Sequence, residues 1–251
     1  MAASVKQASD VVKYLDTATA YDLWAEVYDT DNNFLQALDS VEFQNLLPKL
    51  LSGIKSPKPW KIIDLGCGTG RNTVHLLDIA DTDVVALDLS PKMLQIARER
   101  LSEASGGGDR LTLQVFDVMN PTTSTTNPPP RDADAMISTL VVEHVPLGVY
   151  FSAAAAMLKL GGLFLLTNMH SDMGRISQAG FIDPKTGHKI RPRSYAHTVQ
   201  DIVAEAARHG LEVFSKFEER GVTTETHELF GPRAGKWVGI NVWYGGILKR
   251  I

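Results

Sequence analysis

The sequence predicts an α/β fold in which helices cover both faces of a mainly parallel β-sheet. Five apolar segments alternate along the chain with segments that have a helical period. The second of these strands is apolar on both faces, which is typical of a strand buried inside a parallel sheet. Two of the strands end in an aspartate. A chain of 251 residues, of which 44% are hydrophobic, is large enough to form one such sheet with a full core.

Two helices are predicted ahead of the first strand. Residues 1–17 have a mixed composition that is typical of a disordered segment or a loose helix. In the next segment one helical face carries the side chains of Tyr21, Trp24, Ala25 and Tyr28. Such a stripe usually packs into a core, but the Asp31-Asn32-Asn33 sequence after it has the composition of a hinge. The second helix is predicted over residues 34–51.

The turn after the first strand is the most informative part of the chain. An apolar strand ends at Asp64-Leu65, and the alternating glycines Gly66, Gly68 and Gly70 follow before a helical pattern resumes at Asn72. Glycine permits positive φ and lets a ligand touch the bare main chain. The N-terminus of the next helix attracts an acceptor group. We therefore expect a ligand with a carboxylate or similar acceptors at this turn.

Two kinds of nucleotide site could use this turn. In the Gly-x-Gly-x-x-Gly fingerprint of a dinucleotide site, Arg71 would replace the third glycine and crowd the close contact between helix and strand. A nicotinamide oxidoreductase is therefore disfavoured. The Asp-Leu-Gly-x-Gly-x-Gly form at residues 64–70 instead resembles motif I of the class I S-adenosylmethionine-dependent methyltransferases.

The second and third strands each end in an acid. The second is predicted over Thr82–Asp88, and an acid at its end can accept both hydroxyls of a ribose. The alternative is that Asp88 caps the helix that begins near Pro91, but Ser90 is the better cap and would leave Asp88 free. For the third strand, predicted over residues 111–118, the resemblance assigns the adenine amino group to Asp117. The alternative role for Asp117 is to form a turn.

The rest of the chain continues the resemblance. Residues 133–144 are similar to methyltransferase motif IV and end in the Glu143-His144 pair that small-molecule members of the family commonly carry. A helix over 147–160, a stop at Gly161-Gly162 and a fifth strand over 163–168 follow. Turn residues then predict an inserted hairpin. The last elements are a helix over 198–209 with a capping box, and strands over 211–217 and 236–248.

The resemblance covers residues 20–251 and implies both architecture and cofactor. It implies a Rossmann-like seven-stranded sheet of order 3-2-1-4-5-7-6, with strand 7 antiparallel and helices on both faces. It divides the chain into an amino-terminal helical lid, residues 1–55, and an S-adenosylmethionine-binding methyltransferase domain, residues 56–251, with the hairpin inserted at about 170–195. The residues implied to bind S-adenosylmethionine are Tyr21, Tyr28, Asp64, Gly66, Cys67, Gly68, Arg71, Asn72, Asp88, Leu89, Met93, Asp117, Val118 and Thr139.

Methyl transfer from a sulfonium needs alignment, a dry site and, for some acceptors, a base. His144 is the first candidate for the base, with a structural role at the end of strand four as an equal alternative. His170 is the second candidate. Four residues rank lower, namely His188, His197, His227 and Glu225. The spacing of histidines and carboxylates predicts no metal site.

Composition limits the class of protein and of substrate. The net charge of −4 and the lack of a long basic stretch argue against a nucleic-acid partner. No signal peptide or membrane-length apolar segment is evident, and a single cysteine suits a reducing compartment, so we expect a cytoplasmic monomer or homodimer without membrane contact. The predicted roof of the site favours a moderately apolar small molecule and comprises Trp24, Phe34, Met169, Met173 and Phe181.

The predicted activity is methyl transfer from S-adenosylmethionine to an oxygen or nitrogen of that molecule. The overall pattern is similar to the small-molecule methyltransferases called Williams-Beuren-region-27-like. An alternative keeps the fold and cofactor but uses them in a pericyclase, an isomerase or a non-catalytic partner.

Overall fold

A computed structural model describes residues 12–102, 108–121, 128–226, 228, 231 and 233–251. His227 lies outside the described residues, as do residues 1–11 and the middle parts of the two predicted loops, 103–107 and 122–127. None of the helices within the described ranges combines the length and the apolar character needed to cross a bilayer.

The described residues form ten strands and seven helices. The strands are β1 Val12–Tyr14, β2 Trp60–Leu65, β3 Thr82–Asp88, β4 Leu111–Val115, β5 Ala133–Thr139, β6 Leu158–Met169, β7 Phe181–Ile182, β8 Lys189–Arg191, β9 Leu211–Gly221 and β10 Asn241–Arg250. The helices are α1 Thr17–Trp24, α2 Phe34–Gly53, α3 Thr73–Leu77, α4 Pro91–Ser102, α5 Leu147–Met157, α6 Ser171–Ile176 and α7 Val199–Arg208. Short 3₁₀ turns occur at Ala25–Val27, Val142–His144 and Gly235–Trp237.

Seven strands form the main sheet in the order β4-β3-β2-β5-β6-β10-β9. In the numbering of the predicted strands this is 3-2-1-4-5-7-6, so the predicted order is confirmed. β10 runs antiparallel to both β6 and β9, as predicted for the last strand. The strand order reverses between β2 and β5, which pair in parallel. Ligands of such sheets bind beyond the carboxyl ends of the strands at this reversal.

Buried side chains fill both faces of the sheet. The neighbouring residues Ile62 and Ile63 in β2 are both fully buried, and they belong to different core clusters because successive side chains of a strand point to opposite faces. α2 packs on the face of Ile62 through residues such as Phe43 and Leu46. α5 and α7 pack on the other face, for example through Phe151. The prediction of helices on both faces is therefore confirmed.

Several predicted boundaries are shifted. The helix predicted to reach Leu160 ends at Met157, because the chain already pairs with β5 at Leu158. Gly161, with a φ of +80°, therefore lies inside β6 and does not stop a helix. The final strand begins at Asn241 and not at Lys236, since the preceding residues form a 3₁₀ turn. The third strand ends at Val115, three residues early.

The inserted segment contains more than a hairpin. α6 comes first, and the antiparallel pair β7–β8 follows it. β8 also pairs in parallel with β1, where Val12 lies opposite Lys189. The prediction of a disordered segment or loose helix over residues 1–17 is thus wrong for Val12–Tyr14, which is a strand. The resulting three-stranded sheet joins the start of the chain to the insertion.

Candidate active site

The three glycines after β2 serve different purposes. Each has a positive φ, +78° at Gly66, +55° at Gly68 and +79° at Gly70. A Cβ atom on Gly66 would lie 2.3 Å from a methyl group of Val141, and one on Gly70 would lie 3.1 Å from Leu101. A Cβ on Gly68 would meet no atom within 4 Å. Gly66 and Gly70 therefore allow close packing, whereas Gly68 leaves open space in front of the main chain.

Asp88, at the end of β3, is joined to this turn. One carboxylate oxygen accepts a hydrogen bond from the Gly68 N–H and the other from the Ser90 N–H, both at 2.8 Å. Ser90 does cap α4, because its hydroxyl accepts from the Met93 N–H at 3.1 Å. This cap leaves Asp88 free only in part, because Asp88 also accepts from the Ser90 N–H. Each oxygen still has a second acceptor position. Burial raises the pKa of Asp88 to about 6, although these N–H donors oppose the shift.

A cavity of about 120 Å³, here the glycine-loop cavity, opens at the carboxyl ends of β2, β3 and β5. Ten of the predicted site residues come together in its wall. These are Tyr21, Tyr28, Gly66, Gly68, Asp88, Leu89, Asp117, Val118, Thr139 and His144.

Four other predicted residues are Asp64, Cys67 and Asn72, in or next to the glycine turn, and Met93 in α4. Asp64 is buried and accepts from the Thr73 hydroxyl at 2.7 Å, and burial raises its pKa to about 7. The Asn72 amide donates to the Thr139 hydroxyl at 2.8 Å. Cys67 and Met93 are buried in separate small apolar clusters. None of the four is among the described residues that line the glycine-loop cavity.

Arg71 points away from that cavity. Its guanidinium pairs with the carboxylate of Asp39 in α2 at 2.7 Å and donates to the Ser40 hydroxyl at 2.6 Å. Arg71 instead lines an open cleft between α2 and the start of α3. The structure thus brings the guanidinium of Arg71 to α2, although its charge still acts on Tyr28 and Asp64.

A second cavity, here the aromatic cavity, adjoins the first and has a volume of about 90 Å³. The two cavities share Tyr21, Tyr28 and Leu140 in their walls. Leu140 follows β5 with a φ of +57°, an uncommon conformation for a residue with a side chain. The predicted roof residues that line the aromatic cavity are Trp24, Phe34, Met169 and Met173.

Phe181, the fifth predicted roof residue, supports this wall from behind. Its ring stacks on that of Trp24 with centroids 5.1 Å apart and planes inclined by 12°. Trp24 is buried and donates from its indole nitrogen to the Asp31 carboxylate at 3.0 Å. The aromatic stripe of α1 therefore both packs against the insertion and lines the cavities.

His144 is held by two hydrogen bonds that determine its tautomer. Its Nδ1 atom lies 2.7 Å from the Arg193 carbonyl oxygen, which can only accept, so Nδ1 carries the proton. Its Nε2 atom lies 2.8 Å from the Tyr21 hydroxyl and accepts from it. Burial lowers the pKa of His144 to about 4, so the ring is neutral at physiological pH.

Known proteins with similar sequences identify the family. A family model described as a methyltransferase domain matches residues 62–162. A protein of Emericella nidulans described as an uncharacterized methyltransferase is 44% identical over 259 residues, which cover 93% of this chain and 91% of that protein. The chain belongs to the class I S-adenosylmethionine-dependent methyltransferases. Its cofactor is S-adenosylmethionine.

Solved methyltransferase structures have the same fold. An S-adenosylmethionine-dependent methyltransferase from Mesorhizobium loti is 22% identical, with a TM-score of 0.59 over 82% of this chain and 97% of that one. The magnesium protoporphyrin IX methyltransferase of Synechocystis, solved with bound S-adenosylhomocysteine, is 18% identical, with a TM-score of 0.60 over 93% and 95% of the two chains.

The glycine-loop cavity offers this methyltransferase several groups that could hold its cofactor. Gly68 leaves room for an amino-acid group against the main chain. Asp88 keeps free acceptor positions for hydroxyl groups, and Leu89 and Val118 supply apolar surface in the same wall. Asp117 also lines the cavity, where its carboxylate accepts from the Met119 N–H and the Asn120 amide at 2.8 Å each.

His170, the second candidate base, lies elsewhere in the methyltransferase. Its Nδ1 accepts from the Asp172 N–H at 3.0 Å and caps α6, while its Nε2 is 2.8 Å from a Glu219 carboxylate oxygen. It does not line either cavity within the described part of the chain. Of the lower-ranked residues, His197 contacts the Val145 carbonyl oxygen, and Glu225 is exposed in a turn.

Glu143 was noted in the sequence only as half of a pair, but its side chain lines the aromatic cavity. It is 3% exposed, and its Oε2 atom has no hydrogen-bond partner among the described residues. Burial raises the pKa of Glu143 to about 8, so the carboxyl group is largely protonated at neutral pH. The sequence signal that could have identified Glu143 as a site residue was its position soon after β5, one residue before His144.

Proposed function

We propose that this methyltransferase transfers the methyl group of S-adenosylmethionine to an oxygen or nitrogen of a moderately apolar small molecule. The observation that supports this most directly is the wall shared by the two cavities at Tyr21, Tyr28 and Leu140. An acceptor in the aromatic cavity would adjoin a donor in the glycine-loop cavity. Alignment of this kind can contribute up to roughly 7–11 kcal/mol to lowering the barrier.

The dimensions and lining of the aromatic cavity favour a small acceptor. Its volume of about 90 Å³ compares with roughly 10–15 Å³ for one water molecule on the same scale, so it suits a compact organic group and not a polymer. Trp24, Phe34 and Met173 make much of its wall apolar. Pockets of this character bind mainly apolar ligands with a few polar contacts.

The cofactor, when bound, supplies an electrophilic methyl group. In our proposal the main chain at Gly68 binds its amino-acid end, Asp88 accepts from the ribose hydroxyls, and Asp117 accepts from the adenine amino group. Leu89 and Val118 would contact the faces of the adenine ring. Asp64 and Asn72, which bind neighbouring side chains next to the glycine turn, would keep the turn in the conformation that binds the cofactor.

Proton removal would run through Tyr21 to His144. Tyr21 lines both cavities, and its hydroxyl donates to the Nε2 lone pair of His144 at 2.8 Å. A hydroxyl oxygen that gains a methyl group becomes an oxonium and is strongly acidic, so a weak base such as His144 suffices to take its proton. A methylated amine is a far weaker acid, so this relay serves an oxygen acceptor. In this relay Tyr21 would accept the acceptor's proton as it passes its own to Nε2.

Residues 1–55 would act as the lid of the site. α1 supplies Tyr21 to the wall of both cavities and is held to the insertion by the Trp24–Phe181 stack. Such a cover would exclude water from the transferring methyl group.

The decisive experiment is incubation of the protein with cell extract and isotopically methyl-labelled cofactor, followed by mass spectrometry of labelled small molecules. We expect a labelled product together with S-adenosylhomocysteine. A protein that binds the cofactor tightly yet labels nothing across extracts would contradict the proposal.

The relay has its own test. Once the labelling experiment has identified the methyl acceptor, Tyr21→Phe and His144→Ala should each lower kcat for it by about 10²–10³-fold. The double variant should lose little more than either single one, because both residues serve one proton path. Tyr14→Phe, which changes an exposed tyrosine outside both cavities, is the matched control. Additive losses would argue against the relay.

A further inference from the structure

Three cationic side chains meet at the aromatic cavity. Lys189 comes from β8, and Arg233 and Lys236 come from the segment before β10. They cluster although the chain as a whole has a net charge of −4. Within the described part of the chain, none of the three takes part in an ion pair with a carboxylate.

Exposure shows which end of the cavity these cations occupy. Arg233 and Lys236 are exposed and Lys189 is half-buried, so the cluster lies where the cavity opens to solvent. Leu140 and Glu143, in contrast, are buried. The cavity therefore has a cationic mouth, formed by Lys189, Arg233 and Lys236, and a buried end next to the glycine-loop cavity.

Three buried polar atoms in the cavity wall also lack partners among the described residues, and one of them is the side-chain oxygen of Gln178. Trp237 is 3% exposed and stacks on Phe34, and its indole N–H has no acceptor among the described residues. The Glu143 Oε2 atom is unpaired in the same sense. Buried polar groups in native proteins nearly always find a partner. A polar ligand in the cavity would supply one.

The charges in the wall of the aromatic cavity are mainly positive. Burial lowers the pKa of Lys189, and the neighbouring charges of Arg191, Lys236 and Arg233 lower it further. Glu143 is the one carboxyl group among the described residues that line the cavity, and burial keeps it largely protonated. Arg233 donates to the Asp31 carbonyl oxygen at 2.6 Å and its charge also acts on the Asp31 carboxylate, so the positive charge without a nearby acid in the described wall is mainly that of Lys189 and Lys236.

We propose that the methyl acceptor is an apolar organic acid whose carboxylate binds at the cationic mouth while its reacting oxygen or nitrogen lies at the buried end. This inference rests on the proposed function and names its substrate class. The carboxylate serves recognition and is not itself methylated. The apolar body of the acid contacts Trp24, Phe34 and Trp237.

The test uses the protein loaded with S-adenosylhomocysteine and matched pairs of acids and their amides. The probes are 3-phenylpropanoate with 3-phenylpropanamide and indole-3-acetate with indole-3-acetamide, titrated by calorimetry at low ionic strength. We expect at least one acid to bind about 10-fold more tightly than its amide. The preference should shrink at about 0.15 M salt, because ions screen exposed charges.

Variants of the cationic mouth then test whether its lysines cause the preference for acids over amides. Lys189→Met combined with Lys236→Met should reduce the ratio of acid to amide affinity to about 2-fold or less. Lys216→Met, which removes an exposed lysine on β9, should leave the ratio unchanged. If the double variant does not fold, Lys236→Met alone, at an exposed position, should still lower the ratio by about half.

Two results would overturn the proposal. One is equal binding of acid and amide in both pairs, including no binding of either, and the other is a preference that survives the double variant. Binding of S-adenosylhomocysteine is measured first and separates the two levels of inference. Failure to bind S-adenosylhomocysteine would contradict the proposed function. Tight binding of S-adenosylhomocysteine without a preference for acids would contradict only the proposal that the methyl acceptor is an acid.

Discussion

Asp88 connects three parts of the site through a single carboxylate. Its oxygens accept from the main chain of the glycine turn and from the start of α4, and its remaining acceptor positions line the glycine-loop cavity. One side chain thus sets the distance between two loops and also presents the group that we propose to bind ribose. Its substitution will therefore affect local geometry together with ligand binding.

Asp88→Asn should weaken binding of S-adenosylhomocysteine by about 10–100-fold, because an amide keeps one acceptor oxygen and loses the other. Calorimetry gives the affinity directly. Asp83→Asn, an exposed position on the same strand, should bind as the wild type does. An unchanged affinity in Asp88→Asn would show that Asp88 does not bind the ribose.

Glu143 makes stability depend on pH. Burial raises its pKa from 4.5 to about 8, so the folded state favours the protonated form. The stability that comes from this shift is fully present below the unfolded pKa of 4.5 and is lost as the pH rises through about 8. Asp64 and Asp88, with pKa values raised to about 7 and about 6, act in the same direction.

Glu143→Gln should remove part of this dependence, since the amide has nearly the same shape and never ionises. We expect the variant to be more stable than the wild type at pH 9 by about 2–4 kcal/mol and similar to it at pH 5. Urea unfolding at several pH values measures the difference. Glu212→Gln, at an exposed position, is the control. Parallel curves for wild type and Glu143→Gln would contradict the raised pKa.

At the scale of elements, α1 depends on its neighbours for its position. Tyr21 contacts His144 and Trp24 stacks on Phe181. The Asp22 carboxylate accepts from the Ser90 hydroxyl at the start of α4. The helix has only eight residues, too few for stable helix formation in isolation. Its packing on the β7–β8 hairpin therefore contributes to holding it in place.

Phe181→Ala should loosen α1 without unfolding the main sheet. Loss of the ring leaves a void against Trp24, and we expect amide hydrogen exchange over residues 17–28 to rise by about 10–100-fold. Exchange in β2 and β5 should stay the same. Phe214→Ala, on the exposed side of β9, serves as the control. A uniform rise in all elements would indicate global destabilisation instead.

The strands and helices that sequence could predict are those with a long, regular pattern. β3 has the predicted bounds, and the capping box of α7 is present with Thr198 and Asp201 in the expected roles. β1 could not be predicted, because three exposed residues carry no period and their partner β8 lies about 175 residues further along the chain. The early start of β6 likewise depends on pairing with β5.

At the scale of the whole molecule, Asp39 joins one helix to the middle of the sheet. It is fully buried and pairs with Arg71 at 2.7 Å. It also accepts from the Thr167 hydroxyl in β6 at 2.5 Å and from the Trp243 indole in β10 at 2.9 Å. Three donors from distant parts of the chain therefore converge on one carboxylate.

Asp39→Asn should lower the free energy of unfolding by about 3–5 kcal/mol, because it leaves the Arg71 charge without its partner. Denaturant unfolding gives the value, and Asp83→Asn on the surface is the control. A loss below about 1 kcal/mol would mean that water or another group compensates for the missing charge.

The contact between Asp39 and Arg71 could not be predicted from the sequence around Arg71. The prediction of Arg71 as a cofactor residue used only the local pattern of the glycine turn, whereas Asp39, the partner of Arg71, lies 32 residues earlier in α2. The shared lining of the glycine-loop cavity could be predicted, because the ends of parallel strands meet at one edge. The mouth at Lys189, Arg233 and Lys236 could not, since its residues come from an insertion and from an irregular segment.

The lone thiol of the chain lies inside the glycine turn, where burial raises the pKa of Cys67 well above its usual value. Alkylating reagents attack the thiolate, so iodoacetamide should modify the closed protein very slowly. The rate at which iodoacetamide modifies Cys67 then measures how often the glycine turn opens to solvent. The reactivity of Cys67 thus reports local opening of the glycine turn of this methyltransferase. A ligand in the glycine-loop cavity should slow the alkylation of Cys67.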